Sequence, residues 1–157
     1  MELTSPAPTN PMNNSQPNGL FADVSTNLLR RGHRVRFRAP GWSMHPTIKD
    51  GEAIMVEPVA ASAVKSGDIV LYQFDSGVVV HRVVRIEKNN GTPLFILRGD
   101  ALGSPDEPVA VEQVLGKVVF VERNGRSMNP YGWKSRIFLR AHTCASRLKR
   151  SLLRKGL

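Results

Sequence analysis

The stretch from Ile69 to Glu87 constrains the fold of this chain most. Ile69-Val70-Leu71-Tyr72-Gln73-Phe74 is a β-branched and aromatic run, Asp75-Ser76-Gly77 is a hairpin signal, and Val78 to Glu87 returns as the strongest β segment of the chain. Other runs supply further strands. Arg34-Val35-Arg36-Phe37-Arg38 alternates charge with apolar side chains, as a strand with one wet face does. Ala53 to Val56 reads as a buried strand ending at Pro58, Leu94 to Leu97 as another, and Val109 to Val121 as one or two more, with Gly116 at a bulge or bend. Ala60 to Ser66 is a small-residue connection with room for one helical turn. Five to seven short strands at regular spacing predict a mostly β fold, a coiled or barrel-like sheet.

With 157 residues the chain is long enough for one domain with a real core. Residues 1–22 are rich in Pro, Asn, Ser and Thr and read as a disordered leader. The β domain is expected over 23–122. It opens on a short helix from Asp23 to Arg31, capped by Asp23 or Ser25, with Leu28 and Leu29 inward and Gly32 as its stop. The single cysteine, Cys144, excludes an internal disulfide.

The net charge of +9 is an average of two unlike parts. Residues 1–122 carry 12 basic against 13 acidic side chains, whereas residues 123–157 carry 10 basic and no acidic ones. In that tail Ile137, Phe138, Ala141, Ala145, Leu148 and Leu152 fall at a spacing of three to four, with Lys and Arg filling much of the rest. The pattern predicts a basic amphipathic C-terminal helix, and its apolar stripe and charge fit an anionic membrane surface as well as packing on its own domain. No run reaches the roughly 18 apolar residues of a membrane-spanning helix, and the N-terminus lacks the pattern of a secretory signal. The expected location is the cytoplasm, with peripheral membrane contact through residues 134–157.

Candidate chemistry sits in Gly41-Trp42-Ser43-Met44-His45-Pro46-Thr47-Ile48-Lys49-Asp50-Gly51-Glu52. Pro46 keeps the backbone out of a helix, Asp50-Gly51 turns it into the next strand, and Ser43 stands on a loop between strands, where a nucleophile is placed. Most serines in such a loop merely satisfy a turn. A nucleophile needs a base, and His81 is the one histidine within a β-core strand, although a lone strand histidine is more often structural. The other histidines show no metal-ligand spacing, so neither a metal nor a cofactor is expected.

Four boxes in order carry a family resemblance. Gly41 to Ile48 followed by Gly51-Glu52 looks like the nucleophile box of the signal peptidase I family of serine peptidases, and Gly67-Asp68-Ile69-Val70 resembles its next box. Val80-His81-Arg82-Val83-Val84 is similar to the general-base box of the Ser–His branch, and Arg98-Gly99-Asp100 with Asp106 resembles the acidic box. The resemblance implies Ser43 as nucleophile, His81 as general base and acid, and Asp106 as the acid that orients His81. Asp100 is implied as structural support and as runner-up for the third position, while Met44 and Pro46 would shape the loop and the floor of the substrate groove. The implied substrate is an extended peptide or preprotein, cut after a small residue. Gly41 stands where the family often has a hydroxyl residue, Glu52 replaces the usual Asp, and the family's N-terminal membrane anchor has no counterpart here.

Two other classes stay open. One is regulatory, a LexA-like self-cleaving protein or a nucleic-acid binder using the basic tail. Against it stand a leader too short for a helix-turn-helix domain and a histidine where such repressors carry lysine, so nucleic acid is not the expected partner. The other class is a catalytically impaired pseudo-peptidase that binds peptides.

Overall fold

The computed structural model describes residues 17–75 and 77–132. The predicted basic helix over 134–157 and the first 16 residues of the leader lie outside them. Within them the fold is mostly β, with one antiparallel eight-stranded sheet and one α-helix.

The helix, α1, spans Pro17–Arg30. It begins six residues before the expected start, so residues 17–22 belong to the folded part and Asp23 lies inside the helix, not at its cap. Asn27 Nδ2 donates to the Asp23 carbonyl one turn back. At the other end Gly32 has φ +86° and stops the helix as expected, with its N–H and that of His33 donating to Leu29 and Leu28 carbonyls. Leu29 is fully buried, but Leu28 is exposed with Leu20 and Val24, so one leucine of the expected pair faces inward.

The strands are β1 Val35–Arg38, β2 Ala53–Pro58, β3 Ile69–Phe74, β4 Gly77–Asn89, β5 Thr92–Arg98, β6 Val109–Ala110, β7 Val114–Arg123 and β8 Arg126–Met128. They pair in the order β1-β2-β7-β3-β4-β5-β6, with β8 alongside β7. A turn of 3-10 helix at Ala61–Ala63 fills the small-residue connection. The arginines of β1 lie on its wet face, as the alternation predicts.

β3 is the central strand, and its side chains alternate between two cores. Ile69 and Leu71 join Leu29, Val35, Met44, Ile48, Ile54, Val56 and Val118 on one face. Val70 and Tyr72 join Val64, Val83, Phe95, Leu97 and Val109 on the other. Burial on both faces explains why β3 reads as a continuous apolar run. Gly116 sits where the register of β7 against β3 shifts between Leu71 and Tyr72. A Cβ there would lie 2.5 Å from the Glu57 carbonyl oxygen, so only glycine lets β2 and β7 approach this closely.

The sheet also outruns the boundary expected at residue 122. Asn124 and Gly125, both at positive φ, turn the chain into β8. Beyond it the Tyr131 hydroxyl accepts from the Ile69 N–H and donates to the Val118 carbonyl at 2.6 Å, tying β3 to β7. Arg123 to Gly132 therefore belong with the β domain and not with the tail.

Candidate active site

The Ser43 loop leaves β1 and runs through successive turns to β2. Met44 and Ile48 are its hydrophobic anchors, both buried in the first core. Gly41 has φ +95°, and its N–H donates to Asp50 Oδ1 at 2.7 Å, which draws the two ends of the loop together. The His45–Pro46 peptide is cis, and the chain forms turns here, consistent with the non-helical geometry that Pro46 predicts. Arg123 clamps the far end: its guanidinium forms an ion pair with Glu52 and also donates to the Pro46 and Thr47 carbonyls. Glu52 Oε2 accepts the Lys49 N–H at 2.8 Å. Burial raises the Glu52 pKa, but the Arg123 bond, the Lys49 N–H and the Arg123 and Lys49 charges outweigh it and hold the carboxyl below its ordinary value.

His81 and Arg82 are neighbours on β4, so their side chains leave opposite faces of the strand. Each meets its own aspartate from the segment after β5. His81, buried opposite Val70, places Nδ1 2.5 Å from Asp106 Oδ2. Arg82 donates from Nε and Nη2 to both Asp100 oxygens at 2.8 and 2.7 Å, and from Nη1 to the Gly67 carbonyl. Asp100 Oδ2 also accepts from the Thr47 hydroxyl at 2.5 Å, reaching into the Ser43 loop. The two acids offered by the sequence are thereby separated. Asp106 belongs to the histidine, and Asp100 is committed to a buried, bidentate arginine pair.

A carboxylate oxygen accepts, so His81 donates from Nδ1, and in a neutral imidazole the lone pair then lies on Nε2. That is the tautomer a general base requires. Asp106 Oδ2 also accepts from the Tyr72 hydroxyl at 3.1 Å. The Asp106 N–H donates to the Leu97 carbonyl at 2.8 Å, fixing the backbone of the acid.

Ser43 is half-buried at the edge of the sheet. Pairing of β4 with β5 starts at Arg82 and Arg98, and the segment just after β5 meets the Ser43 backbone. The Ala101 N–H donates to the Ser43 carbonyl at 2.9 Å, and a Cβ on Gly99 would lie 2.5 Å from that same oxygen. Met44 and Ile48 pin the loop to the first core, whereas His81 lies on the Tyr72 face. The loop that carries Ser43 is thus pinned to one face of the sheet, while the His81 side chain leaves by the other. Among the described residues no hydrogen bond joins Ser43 to His81, and nothing accepts the Ser43 N–H.

Ser43 and Met44 line a cleft of about 440 Å³. One wall is formed by Phe37 to Gly41 and the other by Gly77 to Val80, just before His81, with Phe21 of α1 across the end. The Phe21 and Phe37 rings pack edge to face at 4.9 Å. Both walls are strand edges that pair on one side only: β1 with β2, and the first part of β4 with β3.

Several of these contributors escaped the sequence reading. In the sequence Arg82 is one letter of the general-base box, and Tyr72 one residue of the apolar β3 run, with no partner indicated for either. Arg123 had been assigned to the tail. Its signal was the Asn124-Gly125 pair, a strong hairpin marker that places Arg123 at the end of a strand.

A family model described as Peptidase S24-like matches residues 10–95, a span that holds the Ser43 loop and His81. No curated protein matches the chain.

Proposed function

The chain belongs to the Peptidase S24-like family, and from that premise we propose that it is a serine endopeptidase of signal-peptidase type that cuts an extended peptide after a small residue. Ser43 is the nucleophile, His81 the base that takes its proton and later returns it to the leaving amine, and Asp106 the group that orients the imidazole. The observation that carries this reading is the 2.5 Å contact from His81 Nδ1 to Asp106, the histidine–acid pairing that the base of a serine nucleophile requires. The Ser43 N–H is an oxyanion donor, a role in which one good donor contributes on the order of a hundredfold or more in rate.

The cleft supports the substrate class. Two strand edges flank it, and a peptide laid between them as a further strand receives main-chain hydrogen bonds from either side. Met44, Ile48, Leu71, Val78 and Val80 give it an apolar lining, suited to small and apolar side chains. Met44 acts in that floor, and Pro46 helps to shape the loop above it. The basic segment 134–157 holds the enzyme on anionic membrane surfaces.

A fluorophosphonate probe tests the assignment. We expect covalent labelling of the wild type that is lost in Ser43→Ala and falls at least about a hundredfold in His81→Ala. Labelling that survives Ser43→Ala overturns the nucleophile, and peptide turnover that survives His81→Ala overturns the base.

The presence of Phe21 in the cleft favours one second reading, in which the segment leading into α1 is itself the substrate. Truncation of purified protein at a rate independent of its concentration would distinguish self-cleavage from action on a separate chain.

A further inference from the structure

Asp106 is an unusual place to anchor a catalytic histidine. It lies in the turn-rich connection between β5 and β6, and its side chain is 20 % exposed. Its N–H bond to Leu97 fixes the backbone but leaves the carboxylate free to turn about its side-chain torsions. A single bond from His81 would let acid and imidazole move together.

Tyr72 removes that freedom. Its hydroxyl donates to Oδ2, the same oxygen that His81 Nδ1 reaches, so one carboxylate oxygen is held from two strands. The phenol is itself immobile. Tyr72 is 2 % exposed, pairs with Val79 and Val114 on the strands to either side, and packs among Val64, Val83, Phe95 and Leu97. Its ring centre lies 6.2 Å from that of His81. Burial, then the Asp106 charge and the bond to it, push the phenol well above its ordinary range. It therefore remains a donor at every pH at which a histidine base works.

We propose that Tyr72 is a positioning residue for this active site: it fixes the Asp106 carboxylate so that His81 keeps the tautomer and orientation needed to deprotonate Ser43. The assignment rests on the peptidase reading above. It makes the relay a four-membered arrangement, Ser43–His81–Asp106–Tyr72, in which the tyrosine touches neither substrate nor nucleophile.

Tyr72→Phe keeps the ring and removes only the hydroxyl. With an internally quenched peptide carrying Ala at the cleaved position, we expect kcat to fall by roughly tenfold, the size of one lost hydrogen bond, with KM changed by less than about twofold. In a background of Asp106→Ala the same substitution should cost nothing further, because its route to the histidine is already gone. The His81 Nδ1–H resonance, observed by proton NMR in nitrogen-15-labelled protein, should shift or broaden in Tyr72→Phe and vanish in Asp106→Ala. An unchanged kcat in an active enzyme, an equal loss in both backgrounds, or an unaltered Nδ1–H resonance would each overturn the proposal. The resonance is read whether or not peptide is cleaved. A protein that never cleaves peptide yet shows the shift refutes the peptidase reading and leaves the positioning contact standing.

Discussion

Gly41 shows how a single backbone angle changes the meaning of a substitution. In the resemblance it stands where a hydroxyl residue is often found, which reads as a lost side-chain donor. At φ +95° any side chain is strained, and the Gly41 N–H is already engaged by Asp50, so this loop requires glycine there. Glu52 is the second case. It replaces an aspartate, and the structure puts its longer carboxylate to use bridging Arg123 and the Lys49 N–H. Because its folded-state pKa lies below the unfolded value of about 4.3, its contribution to stability is complete above that value and is lost as pH falls through the folded one. We expect the urea midpoint of Glu52→Gln to fall less steeply than that of wild type between about pH 5 and 3. Parallel slopes would show that the clamp contributes nothing to acid stability. Residue types were legible in the sequence at this scale, but partners were not. Asp100 and Asp106 are six positions apart in one polar segment, and nothing in the string of residues says that β4 sends Arg82 to one and His81 to the other.

At the scale of elements, β3, the first part of β4 and the 3-10 turn were readable because their patterns are strong and local. β3 forms over the expected residues, Ile69 to Phe74. Helix α1 starts earlier than the sequence suggests because the Pro- and Asn-rich composition of the leader masks its first two turns. β8 was missed because the basic residues around Asn124-Gly125 drew it into the tail. Tyr131 gives that final piece its role. Burial leads the causes that push its pKa up to about 12, and its hydroxyl staples β3 to β7 beneath Lys117, whose ammonium lies 5.0 Å from the ring centre. Tyr131→Phe should lower unfolding stability by about 1 kcal/mol, more if the carbonyl it leaves behind stays dry. Chemical denaturation checks this, and an unchanged midpoint would mean that the last described segment is not part of the cooperative unit.

For the whole molecule, a mostly β fold was legible from strand spacing and turn residues, whereas the order β1-β2-β7-β3-β4-β5-β6 was not, because the insertion of β7 between β2 and β3 depends on long-range pairing. Among the described residues no helix is long and apolar enough to cross a membrane. In our proposal membrane contact falls to the basic residues 134–157, on the strength of their charge and apolar stripe. Deleting them should abolish sedimentation with liposomes rich in anionic lipid and leave cleavage of a soluble peptide nearly unchanged. Undiminished sedimentation would remove the tail as the anchor.

The approach of Gly99 to the Ser43 carbonyl has a mechanical consequence. The segment that begins at Gly99 grips the Ser43 backbone through Ala101, engages Thr47 through Asp100, and ends by presenting Asp106 to His81. One short run of chain is thus a gauge block for both ends of the relay. A methyl group at position 99 would lie 2.5 Å from the Ser43 carbonyl oxygen and force that spacing to widen, so a change at one glycine is felt at both Ser43 and Asp106.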